Sequence, residues 1–238
     1  MTLLITEIYN HNDPVNAFIV FGADQRISRK NLRDSEQEKI FRLSNLNGGI
    51  GFFGLAEVPL GTQLIPMSAW IKDYISVNSN LTTLEQFATN LCTQLNQIIP
   101  NNYQRSIISG FHISGFNTNG FPEFWYVRNV GDDRETILGV YEVREDFQNR
   151  DAPNLPQYKL QVYRNGDLRA HVEFWEEIDE SLGRMFAAPD FNQLSTPEDY
   201  AIWLKFKLEV TAIFYEQFCS RSIIGRPVNA FVIKNNSN

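Results

Sequence analysis

A chain of 238 residues with 43% hydrophobic and 21% charged side chains suits one large soluble domain, or two small ones, with a sizeable core. Its formal charge of −7 and isoelectric point near 5.1 leave no basic face for displacing counterions, so no nucleic-acid or anionic-membrane partner is expected. No run of eighteen apolar residues could span a bilayer, and the first residues lack the cationic and apolar segments of a signal peptide, so a cytoplasmic location is expected.

The first third reads as strands. TLLITEIY and AFIVFGADQRI are rich in β-branched and aromatic residues around the breaker NHNDPVN, which makes a hairpin with a long loop. KIFRLSN and GIGFFGLAEV add two short strands around NLNGG. Helical spacing then takes over. Ile65, Met67, Trp70, Ile71 and Ile75 predict a helix near 65–76. Leu84, Phe87, Leu91, Leu95 and Ile98 predict a second near 83–99, with Thr82 and Glu85 as its capping box. Strands return in RSIISGFHIS, PEFWYVRN and TILGVYEV, followed by the loop QNRDAPNLPQ and a strand in YKLQVYRNGDL. Val172, Trp175, Ile178, Leu182 and Met185 trace a further helix, whose Glu173, Glu176, Glu177, Asp179 and Glu180 form a solvated acidic face. A long helix over 197–218 opens on Ser195-Thr196-Pro197-Glu198, where a capping box and an early proline agree, and PVNAFVIK closes the chain as a strand. Helices come in adjacent pairs instead of alternating with strands, which predicts two sheets covered by helix layers and argues against a parallel βαβ sheet.

Most candidate chemistry falls away on inspection. Gly49-Ile50-Gly51-Phe52-Phe53-Gly54 matches G-x-G-x-x-G, but its glycines lie in a strand and do not open a helix, so no dinucleotide is expected. His11, His112 and His171 are scattered without ligand spacing, so neither a metal nor any other cofactor is expected. Cys92 and Cys219 fall in predicted helices as small buried hydrophobes. The start of the chain is more informative. Thr2 directly follows Met1, and its small side chain permits removal of that methionine. A hydroxyl without a histidine can use its own free α-amino group as the base, because a pKa near 8 leaves a neutral fraction at pH 7.

Several stretches, taken in order, resemble the proteasome β-subunit family of N-terminal nucleophile hydrolases. FIVFGADQRIS resembles the family's second strand with its Asp-x-Arg end, and EKIFRL its Lys-Lys-Ile/Val strand. GIGFFGLAEV resembles the strand that ends in a glycine-rich turn, ISGFHISGFNTNGFPEFWYVRN the aromatic hairpin, and GRPVNAFVI the closing strand. The resemblance implies a single α+β domain over residues 1–238, built as a four-layer αββα sandwich of two antiparallel sheets flanked by helices. It implies Thr2 as nucleophile, Asp24 as the carboxylate behind Lys39, and Lys39, fifteen residues further on, as the cation that lowers the nucleophile's pKa and relays its proton. Gly54 would offer its N–H to the oxyanion, Ser28 would pair with substrate backbone, and Ile27 and Phe52 would line an apolar specificity pocket. A peptide substrate and self-association into a homo-oligomer or ring follow from the same resemblance. Two positions depart from it: Arg221 stands where the family has an aspartate and Ile224 where it has a serine. The alternative they imply is a non-catalytic subunit of the same fold that serves assembly or scaffolding.

Overall fold

The computed structural model describes residues 3–10, 14–28, 35–104, 106–131, 136–148, 160–166, 174–188, 190, 192–220 and 222–235. Strand β1 (Leu4–Tyr9) runs antiparallel to β2 (Phe18–Asp24), with Leu4 opposite Ala23 and Tyr9 opposite Phe18. The short pair β3 (Arg26–Ile27) and β4 (Ser35–Glu36) follows, then β5 (Ile40–Leu43) and β6 (Gly48–Phe53). A small hairpin, β7 (Glu57–Leu60) and β8 (Gln63–Pro66), leads into α1 (Met67–Val77), α2 (Leu84–Ile98) and the single turn α3 (Asn101–Gln104). The remaining elements are β9 (Gly110–Phe116), β10 (Pro122–Val130), β11 (Ile137–Gln148), β12 (Leu160–Asn165), α4 (Trp175–Phe186), α5 (Pro197–Phe218) and β13 (Val228–Lys234).

The strands form two larger sheets, ordered β12–β1–β2–β13 and β11–β10–β9–β6–β5, in which every neighbouring pair is antiparallel. The chain is therefore an α+β protein with paired helices and antiparallel sheets. Alternation along the strands divides the apolar residues among three cores. Leu3, Ile5, Phe18 and Val20 pack with Trp175 of α4 and Leu204, Leu208 and Ala212 of α5. Ile50, Phe52, Phe111 and Val127 pack with α1 and α2 through Met67, Ile71, Phe87 and Leu91. The third core draws on both sheets, joining Leu4, Ile8, Ile19 and Phe21 to Ile40, Phe53, Phe124 and Tyr126.

The G-x-G-x-x-G segment finds its explanation in that third core. A Cβ on Gly51 would lie 2.5 Å from Leu4 Cδ1, and one on Gly49 2.9 Å from Phe21 Cε2, both in the opposite sheet. Glycine here lets two sheets approach closely, a packing role and not a phosphate-binding one.

The helix termini differ in detail from the predicted ones. Thr83, not Thr82, is the N-cap of α2; its side chain accepts from the Gln86 N–H, while Gln86 Oε1 accepts from the N–H and hydroxyl of Thr82. Thr196 caps α5 in a full capping box with Asp199, and the N–H groups of Thr196 and Ser195 hold that carboxyl down at about 2. Glu176, Glu177 and Glu180 are exposed on α4, whereas Asp179 turns to Lys207 at 3.1 Å; Val172 and Glu173 lie outside the described residues. No helix among the described residues is long and apolar enough to cross a membrane.

Two glycines separate packing from conformation. Gly115→Ala would place a Cβ 2.6 Å from Gly48 Cα and 2.7 Å from the Asn47 carbonyl oxygen, so urea denaturation is expected to show a loss of about 1–3 kcal/mol. Gly183→Ala, in the open on α4, meets nothing within 4 Å and is expected to gain about 0.5–1 kcal/mol.

Candidate active site

Asp24 ends β2 and lies level with Leu3, whose carbonyl accepts the Asp24 N–H at 3.1 Å. The exchange is reciprocal: the Leu3 N–H donates to Asp24 Oδ1 at 2.8 Å. Lys39 comes from the other sheet, one residue before β5, where its carbonyl accepts the Phe52 N–H at 3.0 Å. Its Nζ donates to Asp24 Oδ1 at 3.0 Å and to the Arg26 carbonyl at 2.7 Å. The Gly225 N–H completes the cluster with a longer bond of 3.4 Å to Asp24 Oδ2. Both ionisable side chains are 0% exposed. Among the described residues, the Lys39 ammonium has two acceptors, Asp24 Oδ1 and the Arg26 carbonyl.

Burial dominates the electrostatics of this pair. Loss of water pushes Asp24 above the ordinary carboxylate range, opposed by the Lys39 charge and by N–H donors from Leu3 and Gly225. Loss of water likewise pulls Lys39 below the ordinary ammonium range, opposed by Asp24. A lowered proton affinity makes a buried lysine better able than a solvated one to exchange a proton with a neighbouring hydroxyl or amine.

Of the other expected site residues, Ile27 and Ser28 follow Arg26 in the chain, and Phe52 and Gly54 lie in and just after β6. Gly54 follows β6 at φ +84°, and a Cβ there would overlap the Ile108 carbonyl oxygen, so glycine is required. Ile27 is buried. Ser28 donates its hydroxyl to the Ser222 carbonyl at 3.0 Å, and Ser222 in turn donates to the Ile224 carbonyl at 2.7 Å. Phe52 is buried in the core shared with α1 and α2, with the Phe111 ring 6.4 Å away. Ile224 is fully buried in the core beneath α5. Thr2 and Arg221 lie outside the described residues.

An open cleft of about 570 Å³ lies beside Gly54, with Phe53, Tyr126, Asn165 and Gly166 among its walls. Leu4 pairs with Asn165 in the β1–β12 ladder, so Leu3 stands at the end of the sheet next to Gly166. Asp24 and Lys39 meet just before β1 begins, but of the expected site residues among those described only Gly54 lines the cleft; Asp24, Lys39, Ile27, Ser28 and Phe52 do not. The Leu3 and Gly225 N–H groups and the Arg26 carbonyl are backbone partners that no side-chain pattern announces. Gly225 does carry a signal after the fact: a Cβ there would meet Arg26 Cδ at 2.6 Å.

No family model and no curated protein matches the chain. Solved structures do. Anbu (ancestral beta-subunit) from Yersinia bercovieri aligns over 97% of this chain and 82% of its own, with a TM-score of 0.53 at 10% identity. The Anbu complex from Pseudomonas aeruginosa, solved as a helical assembly, aligns over 99% and 82%, with a TM-score of 0.50 at 12% identity. An Anbu mutant from Hyphomicrobium sp. strain MC1 aligns over 98% and 82%, with a TM-score of 0.51 at 12% identity. At these identities the shared property is the fold.

Removing one member of the pair should cost far more than removing both. Lys39→Met leaves Asp24 buried without its cation and is expected to lose about 3–5 kcal/mol in chemical denaturation, whereas Asp24→Asn/Lys39→Met should recover much of that loss. The shifts also fix the pH dependence. Relative to the double variant, wild-type stability should fall as pH rises from the ordinary carboxylate pKa of 3.8 through the raised Asp24 value. It should climb again between the lowered Lys39 value and the ordinary 10.5. Equilibrium unfolding across pH checks both signs.

Proposed function

We propose that this chain is a proteasome-like N-terminal nucleophile hydrolase: one domain over residues 1–238, a four-layer αββα sandwich, with Thr2 exposed as the first residue when Met1 is removed. The observation that carries the proposal is the buried Asp24–Lys39 pair, whose carboxylate also accepts the N–H of Leu3, the residue bonded to Thr2. The likeness in fold to Anbu supports it.

In this account the Thr2 hydroxyl attacks the carbonyl carbon of a peptide or amide bond while its proton passes to the Thr2 amine or to Lys39. The Gly54 N–H bonds the developing oxyanion, and mutagenesis of such donors elsewhere costs about 2.7–4 kcal/mol. Collapse expels the amine, which takes the proton and leaves an ester on Thr2; water then hydrolyses the ester and restores the hydroxyl. Asp24 holds Lys39 in place and does not touch the substrate. Ile27, Ser28 and Phe52 would shape the binding side, Ser28 from its tether to Ser222 and Phe52 from within the core.

Self-association is part of the same proposal. Ile202, Phe206, Ile213, Phe214 and Phe218 are exposed at helical spacing along α5, a 22-residue helix about 33 Å long. A second reading, a non-catalytic subunit of this fold, is favoured by Ile224, which puts an apolar side chain where the resemblance would have a serine.

Intact-mass analysis with an epoxyketone probe separates the two readings. The hydrolase predicts a mass lacking Met1 and a single adduct on Thr2, lost in Thr2→Ala and kept in Thr2→Ser; full retention of Met1 with no adduct would establish the non-catalytic reading. For assembly, light scattering should give a mass several times the 27.5 kDa of one chain, falling toward it in Ile202→Glu/Phe206→Glu.

A further inference from the structure

The two large sheets end near one another at β5 and β13, each the last strand of its own sheet. The Lys39 carbonyl accepts the Phe52 N–H, one step before the Ile40–Gly51 pair. By alternation Phe41 and Leu43 bond β6, whereas Ile40 and Arg42 turn their N–H and carbonyl groups away from it. No strand among the described residues pairs with that edge. A groove of about 480 Å³ runs beside it, and both faces of β5 line that groove. Ile40 and Arg42 belong to the face toward the other sheet, where Phe231 of β13 stands. Phe41 belongs to the opposite face, where Lys72 and Ile75 of α1 stand. A hollow in front of one face would show only alternate residues, so this groove has the position that a further strand would take.

Its charges do not balance. The described lining residues include Arg42 and Lys72 but a single carboxylate, Glu38, and Glu38 pairs with Lys72 at 2.9 Å. Arg42 is exposed, and no hydrogen bond or ion pair joins it to any described residue. The residue opposite it in β6 is Gly49, which has no side chain to offer. The Arg42 guanidinium lies over the Phe231 ring at 4.6 Å, and that ring is stacked on the fully buried Phe21 at 5.3 Å. An arginine resting on a fixed ring has less side-chain entropy to lose on binding, and its planar fork of donors matches a carboxylate. A charge on an open edge also discourages pairing with a neutral strand. An incoming segment therefore has to bring an anion opposite Arg42.

We infer that the β5 edge binds an extended acidic segment of a partner protein, which joins the sheet as a strand and sets a glutamate or aspartate carboxylate on Arg42. The next residue of that strand points to the opposite face and meets Phe41 and Ile75, so an acidic residue flanked by apolar ones fits the groove. The groove shares no lining residue with the cleft beside Gly54, and the inference does not depend on the hydrolase proposal.

Fluorescence polarisation with labelled octapeptides, measured on the full-length protein, tests the inference. The peptides are acetylated and amidated, alternate valine with threonine, and carry glutamate, glutamine or lysine in place of one central threonine. The glutamate peptide is expected to bind about tenfold or more tightly than the glutamine one, with the lysine peptide weakest. Arg42→Gln should abolish that preference and Arg42→Lys retain part of it. N-methylation of alternate residues in the glutamate peptide needs no protein variant: one set should abolish binding and the other spare it, because only one set of N–H groups faces β5. Equal affinity for the glutamate and glutamine peptides, a preference that survives Arg42→Gln, or equal losses from both methylated sets overturns the inference. Two further results also overturn it. Absence of peptide binding with aggregation of Arg42→Gln would make Arg42 a guard of the edge. Absence of peptide binding with a fall in assembled mass for Arg42→Glu, by light scattering, would make a second copy of this chain the occupant.

Discussion

Everything at the candidate site depends on an ammonium and a carboxylate held together without water. Lys39 and Asp24 come from different sheets, touch at 3.0 Å and are wholly buried. Taking both charges out of water costs several kcal/mol each, and their attraction rarely returns more than that cost. Stability alone therefore gives no reason for the pair, since well-packed apolar residues would serve the fold as well. The pair holds a lysine of lowered proton affinity in a fixed position, on a carboxylate that also accepts the Leu3 N–H just before β1. Asp24 ties together the start of β1, the end of β2, the approach to β5 and the turn before β13.

The rest of the structure keeps that pair dry and in place. Gly49 and Gly51 let the two sheets close until Leu4 and Phe21 fill the space that side chains would otherwise occupy. The positive φ of Gly54 ends β6 where its backbone can turn toward the cleft. On the far faces, α1 and α2 cover one sheet and α4 and α5 the other, each through its own apolar core. Lys207 shows the same economy behind the other sheet face: buried beside Trp175, it meets Asp179 at 3.1 Å and Glu7 at 3.7 Å, and so fastens α4 and α5 to β1.

Much of the fold could be read from residue spacing, and the exceptions have identifiable causes. The stripe Leu84, Phe87, Leu91 and Leu95 marks α2 plainly because three- and four-residue steps have no strand equivalent. The cap of that helix is displaced by one residue because Thr82–Glu85 and Thr83–Gln86 satisfy the same pattern, and only the backbone chooses between them. The hairpin of β7 and β8 is hidden because GIGFFGLAEV looks like one strand; the break lies in the dihedral angle of Gly54. Asp24 and Lys39 were visible through a family resemblance and their separation, and the structure brings them together. Their backbone partners were not visible, since an N–H or a carbonyl belongs to every residue. His112 shows no ligand spacing to the other histidines in sequence, and its bonds to Thr6 and Asn165 depend on pairings between strands far apart in sequence.

The claim with most riding on it is that the processed N-terminus delivers a threonine hydroxyl to Lys39. A high-resolution crystal structure of the mature protein, with the mass of the crystallised chain checked, measures this directly. The account predicts Thr2 as the first residue, with its Oγ1 within about 2.6–3.2 Å of Lys39 Nζ or one water away. A chain that retains Met1, or a Thr2 hydroxyl turned out of reach of Lys39, would contradict it.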